Sequence, residues 1–241
     1  MVIGPEAGVG KTLVTAAIVQ SLCRMGIHAI GMTPAPKGIL DANGNWRSEE
    51  LQQLASVSAF NFPPSALCPS VLPEFNAPRR AGSWKERALS LEDIVDTFQI
   101  LCTWADAVAV DDSLGVGQFA GRTFDSADVA SALNLPLLMV VGVHPGCIAQ
   151  AVANAQALTR RGLECAGWIA NRIDPAGPAD RVSDSLRQRM PAPCLGSIPR
   201  LPRSAPAHAA KGIDMQKTLI ALAGSRVRPG AGTHGKVQGG G

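Results

Sequence analysis

The sequence predicts an α/β protein built on a doubly wound, mostly parallel sheet with helices on both faces. Three observations predict it. Short apolar runs alternate with stretches of helical spacing, the order that lays strands parallel with crossover helices between them. Several runs in the second half are apolar almost throughout, as strands covered on both faces require. Three polar or glycine-rich positions (residues 4–12, Asp111 and Asn171) fall at the carboxyl ends of predicted strands, where open sheets of this kind bind ligands.

Val2-Ile3 is a strand stub, short against the roughly five residues of an ordinary strand. Either the first strand is short or the start of the chain is misplaced. Residues 12–25 carry Leu13, Ala16, Ile18 and Leu22 at helical spacing, and Gly26 is placed to end that helix. Residues 28–33 read as a second strand, closed by Pro34 and Pro36. A helix follows over 48–59, with Leu51, Leu54 and Val57 on one face. Residues 61–83 hold five prolines and read as loop. Ser90-Leu91-Glu92-Asp93 partly fits a capping box for a helix running to Trp104. Residues 106–111 form a strand ending in acid, and 135–143 a buried strand. Residues 146–160 are helical and 166–171 a strand. Residues 179–190 are helical and 194–198 a last short strand. One domain is expected over 1–223, and 224–241 reads as a disordered tail rich in Gly and basic residues.

The chemistry starts at Gly4-Pro5-Glu6-Ala7-Gly8-Val9-Gly10-Lys11-Thr12. A loop that holds a triphosphate must turn its backbone N–H groups inward, and glycines permit the dihedrals and the close approach. A lysine then supplies a point charge for the outer phosphates and a hydroxyl ligates magnesium. Gly8, Gly10, Lys11 and Thr12 supply these parts, and the helix that follows adds its positive N-terminal end. This is a P-loop, with five residues between the outer glycines where four are usual.

Composition narrows the rest. With 46% apolar and 17% charged residues the chain can bury a normal core. A net charge of +3 gives no electrostatic reason to expect nucleic acid. No apolar run approaches the roughly 18 residues of a membrane span, and no export signal is visible, so no membrane partner and a cytoplasmic location are expected. The six cysteines lack a C-x-x-C pair and read as reduced thiols.

The P-loop, the strand ends and several longer stretches together resemble dethiobiotin synthetase, an ATP-dependent family of biotin synthesis. Residues 137–143 followed by Gly146-Cys147-Ile148 look like the family's apolar strand and its turn. Residues 166–171 look like its adenine-side strand, 191–199 like its last strand, and 124–128 like the segment after its glycine-rich acidic loop. The similarity runs from about residue 1 to 222. It implies a homodimer in which 7,8-diaminopelargonic acid and CO2 form a carbamate. ATP phosphorylates the carbamate, and the second amine closes a cyclic urea. It implies nucleotide contacts from Gly8, Val9, Gly10, Lys11, Thr12 and Leu13, with Glu49 and Asp111 beside them. Asn171 would read adenine, Pro199, Arg200 and Leu201 would touch the nucleotide, and Mg2+ would sit among Thr12, Glu49 and Asp111.

The chain departs from the family on the substrate side. Gly8 replaces an acid, Thr33 stands where a catalytic lysine precedes a proline, and Lys37 replaces a serine. Asp112-Ser113-Leu114-Gly115 replaces Gly-Ala-Gly-Gly, Ala77-Pro78-Arg79 replaces Ser-Pro-His, and the two metal carboxylates are exchanged. Lys37, one turn beyond Thr33, is the candidate to serve with Lys11 as a catalytic cation; otherwise it is a solvated loop lysine. Asp112 is a substrate-side acid or a strand-end cap. His144, with no partner visible in sequence, reads as structural. The alternatives to an active ligase are a non-catalytic ATP-binding paralogue and a partitioning-type regulatory ATPase. The latter ordinarily carries an extra lysine early in the loop, absent from Pro5-Glu6-Ala7.

Overall fold

The computed structural model describes residues 1–41, 45–73, 89–117, 123–174, 179–201 and 205–225. The first half runs β1 (Val2–Ile3), α1 (Lys11–Arg24), β2 (Ala29–Met32), β3 (Lys37–Leu40), β4 (Trp46–Arg47), α2 (Glu49–Val57), β5 (Leu72–Pro73), α3 (Leu91–Cys102) and β6 (Ala107–Val110). The second runs α4 (Ser126–Ala132), β7 (Leu137–Val143), α5 (Cys147–Arg160), β8 (Cys165–Arg172), α6 (Ala179–Arg189), β9 (Cys194–Ile198), α7 (Pro206–Ala209) and α8 (Met215–Gly224).

β1, β7, β8 and β9 lie side by side in that order, all parallel. β2 pairs with β6, also parallel. A bridge between Val2 and Asp111, with the Asp112 N–H donating to the Val2 carbonyl at 2.9 Å, sets β6 beside β1. The strands therefore read β2-β6-β1-β7-β8-β9 across the sheet. β7 is buried along its whole length, which explains its apolar run. Its alternate residues feed two apolar clusters. Leu138 and Val140 pack with Val14, Ala17 and Ile18 of α1, while Met139 and Val141 pack with Cys147, Ala151 and Leu158 of α5. That alternation gives the double winding read from the sequence.

Each predicted strand and helix of the main sheet is present. Ser90 and Asp93 complete a reciprocal capping box at α3, and Ser48 caps α2. β1 is as short as it read, and Met1 extends its pairing by accepting from the Leu138 N–H at 2.9 Å. Within 61–83, residues 64–67 form a 3-10 turn and β5 pairs with β3, which also pairs antiparallel with β4. This small second sheet, together with α4, α7 and α8, adds to the elements read from the sequence. Residues 77–79 and the tail from 226 onward lie outside the described residues. All six cysteines are free, with Cys68 and Cys147 buried.

Candidate functional site

The loop between β1 and α1 takes its shape from two glycines in the left-handed region, Gly8 at φ 77° and Gly10 at φ 92°. Gly10 is the N-cap of α1 and offers no side chain, so the first turn of the helix keeps its N–H groups free of a capping oxygen. A Cβ at Gly10 would lie 2.3 Å from Asn171 Nδ2. That amide donates to the Val9 carbonyl at 2.8 Å, so the end of β8 clamps the back of the loop. Val9 is fully buried, and Leu13 packs against the α1-side cluster. Lys11 Nζ donates to the Glu6 carbonyl at 3.0 Å, which folds its ammonium over the loop.

Thr12 Oγ1 donates to Asp111 Oδ2 at 2.6 Å, and Thr15 Oγ1 lies 3.4 Å from Oδ1. Asp111 is 1% exposed. Burial pushes its carboxyl up to about 7, the Thr12 hydrogen bond and Lys11 pull it down, and the charges of Glu50 and Asp112 add to the rise. Hard oxygen donors, one hydroxyl beside one buried carboxylate, are what a magnesium ion takes while keeping several waters. A buried carboxylate held near neutrality in this way lacks a cation, so these residues fit the ion. Among the described residues no three His, Cys, Asp or Glu side chains gather into a metal cluster, so phosphates and waters would complete the shell.

The remaining candidates divide. Glu49 is exposed in the first turn of α2, whereas its neighbour Glu50 is the α2 carboxylate whose charge reaches Asp111. Sequence reading named the first and not the second. The missing signal is the helix phase, which turns successive residues by about 100°. Lys37 is exposed on β3, and its backbone N–H donates to Glu50 Oε2 at 3.3 Å. Thr33 follows β2 fully buried, and among the described residues its hydroxyl has no hydrogen-bond partner. Pro199 and Arg200 are exposed just beyond β9, with Leu201 half-buried.

Asp112 points to the opposite face from Asp111. Its Oδ1 accepts from the Leu114 and Gly115 N–H groups, both at 2.9 Å, and from the Ser126 hydroxyl of α4. It therefore caps its own loop, while Oδ2 is buried without a partner among the described residues. Asp125 secures the same loop from the other end, accepting from the Gly117 N–H at 2.6 Å and pairing with Arg161. His144, read as partnerless, stands after β7 and contacts Glu6 of the phosphate loop. Strand order explains the omission, because β7 adjoins β1 only in the folded sheet.

A family profile described as an AAA domain matches residues 1–208. The ATP-dependent dethiobiotin synthetase BioD of Ralstonia nicotianae is 38% identical over 223 residues, covering 90% of this chain and 96% of that protein. Among solved structures, the septum site-determining protein MinD from Pyrococcus horikoshii, complexed with Mg-ADP, superposes with a TM-score of 0.56 at 18% identity. That match covers 92% of this chain and 96% of that one. A ParA family ATPase from Chlorobium tepidum gives a TM-score of 0.50 at 16% identity, covering 92% and 93%. Identities this low establish a shared fold and nothing about activity. The 38% match covers 90% of this chain and 96% of that protein, so this chain belongs to the ATP-dependent dethiobiotin synthetase family.

Proposed function

We propose that this chain is an ATP-dependent carbon–nitrogen ligase that forms dethiobiotin, a cyclic urea, from 7,8-diaminopelargonic acid and CO2. The observation that carries the reading is the Thr12–Asp111 pair at the head of α1, within a chain 38% identical to a protein named for that activity. One amine adds to CO2 and gives a carbamate. A carbamate oxygen then takes the γ-phosphoryl group of ATP, releasing ADP. The second amine attacks the activated carbonyl, loses its proton, and expels inorganic phosphate as the ring closes.

Little covalent work falls to the protein in such a sequence; alignment and charge neutralisation dominate. The free amides at residues 8–13 would hold the β- and γ-phosphates, and Lys11, steadied by the Glu6 carbonyl, would meet the γ-phosphate. Asn171 would present its amide edge to adenine, with Pro199, Arg200 and Leu201 lining the nucleotide. Thr12 and Asp111 would hold magnesium with a carboxylate from the head of α2, Glu49 or its neighbour Glu50, and the ion when bound would neutralise phosphate charge. Lys37 would supply the cation that Thr33 does not.

We further propose a homodimer with the diamine near its interface, and a cytoplasmic enzyme that binds neither nucleic acid nor membrane. Among the described residues no helix is long and apolar enough to cross a membrane. Incubation of the purified protein with diamine, bicarbonate and Mg-ATP is expected to yield cyclic urea and phosphate in equal amounts. No product at saturating substrate overturns the reading, and would favour an ATP-binding paralogue that has lost ligation through Thr33 and Asp112.

A further inference from the structure

His144 follows β7 directly, one strand over from β1, so it stands at the same sheet end as the phosphate loop. Its Nδ1 lies 2.7 Å from the Pro145 carbonyl oxygen, and its Nε2 contacts Glu6 Oε1. A carbonyl oxygen can only accept, so Nδ1 carries a hydrogen. That turns Nε2 toward the Glu6 carboxylate. Glu6 is engaged a second time through its backbone, where its carbonyl accepts from Lys11 Nζ at 3.0 Å.

The geometry points to His144 as a positioning residue of the phosphate loop. Its ring holds the Glu6 side chain, and through the Glu6 backbone it sets the place of the Lys11 ammonium that receives the outer phosphates of a nucleoside triphosphate. This rests on the reading above that the loop binds Mg-ATP. The side chains are 23% and 33% exposed, so the pair is shielded enough to matter without being sealed from solvent. Other titratable or charged residues lie on the elements next to His144. Lys11 lies on the loop, Arg172 pairs in register with Val143, Asp174 lies two residues beyond it, and Cys147 opens α5. A histidine ordinarily changes its charge between about pH 5 and 8.

The test is calorimetry of a magnesium-bound, non-hydrolysable ATP analogue across about pH 5.5 to 8.5, on wild type, His144→Lys, His144→Gln, Glu6→Gln and the double variant His144→Gln/Glu6→Gln. His144→Lys keeps a permanent cation opposite Glu6. The ratio of the wild-type to the His144→Lys dissociation constant is expected to rise from about one to about ten as pH increases. Taking the ratio cancels the titration of the analogue itself. His144→Gln is expected to weaken binding about tenfold at low pH, with the double variant no worse than either single one. A ratio that stays flat, or losses that add, overturns the proposal while leaving the ligase reading intact. A wild-type protein that binds no analogue overturns both. Melting temperatures of the variants separate a loosened fold from a displaced loop, since a merely structural contact would not make affinity follow pH.

Discussion

Asp111 Oδ2 accepts a 2.6 Å hydrogen bond from Thr12 Oγ1, so the end of β6 is tied to the first turn of α1 across a sheet seam. Burial pushes that carboxyl to about 7 from an ordinary 3.8. A carboxyl raised on folding favours the protonated form. Its contribution to stability is therefore complete below about pH 3.8 and lost as pH rises through about 7. The swing is on the order of 4 kcal/mol at most. Thermal melts of metal-free protein should show stability declining between pH 4 and 7, with Asp111→Asn flattening that trend. Added Mg-ATP should restore the wild type at pH 8 and not the variant. A metal-free wild type equally stable at pH 5 and 8 would contradict this account.

Asp125 makes the opposite prediction. Its burial opposes ionisation, but Arg161, with the N–H groups of Gly117 and Asp128, holds the carboxyl below the usual range. That contribution is present above the ordinary carboxylate range and lost as pH falls through the depressed value. Asp125→Ala removes an N-cap, the Gly117 tether and the partner of a guanidinium that is 34% exposed. A loss of about 2 to 4 kcal/mol is expected by denaturant titration, the upper figure discounted for the solvent around Arg161. Arg161, which keeps Asp128 as a second partner, should lose less on substitution by Met in the Asp125→Ala background than in the wild type, because the shared pair is already gone. Strict additivity of the two would rule the coupling out.

Gly10 cannot tolerate a side chain for two independent reasons, its φ of 92° and the 2.3 Å approach of Asn171 Nδ2 to any Cβ. Gly10→Ala should strain the loop by about 1 to 2 kcal/mol and displace the Asn171 amide. Nucleotide affinity should fall at least tenfold, while Gly162→Ala, also left-handed but with open space at its Cβ, should lose stability alone. Equal effects on nucleotide binding would show that the Asn171 clamp is irrelevant.

Thr33 offers a cleaner separation of fold and function. Its hydroxyl is buried and, among the described residues, unpartnered, so Thr33→Val should be neutral or stabilising by up to about 1 kcal/mol in the ligand-free protein. If a bound substrate supplies the missing partner, the same variant should lose turnover by tenfold or more. A destabilised Thr33→Val would mean that the hydroxyl is satisfied in solution.

The main sheet was legible because its signals are physical and local. The continuous apolar run at 137–143 required two covered faces, and Gly8, Gly10, Lys11 and Thr12 spell an anion cradle before a helix. The small sheet was not legible. β4 and β5 are two residues each, with Pro73 in one of them, and their pairing depends on contacts far apart in the chain. α4 was overlooked although Asp125 and Asp128 form a full capping box, because seven residues show too little periodicity to read. At the site, strand-end residues were placed correctly by topology. Which side of a helix a carboxylate takes, and that His144 meets Glu6, follow only from three-dimensional adjacency.

The bridge from Val2 to Asp111 has one further consequence. β2 and β6 form one ladder and β1, β7, β8 and β9 another, and among the described residues this single bridge joins them. The two parts meet directly beneath the phosphate loop. A nucleotide held by Lys11 and Thr12 on one side and by Asp111 through its metal on the other would act as a clasp across that joint. Amide hydrogen exchange at Asp111 and Asp112 should then slow when the site is filled, while the central amides of β7, already enclosed on both faces, should exchange no differently.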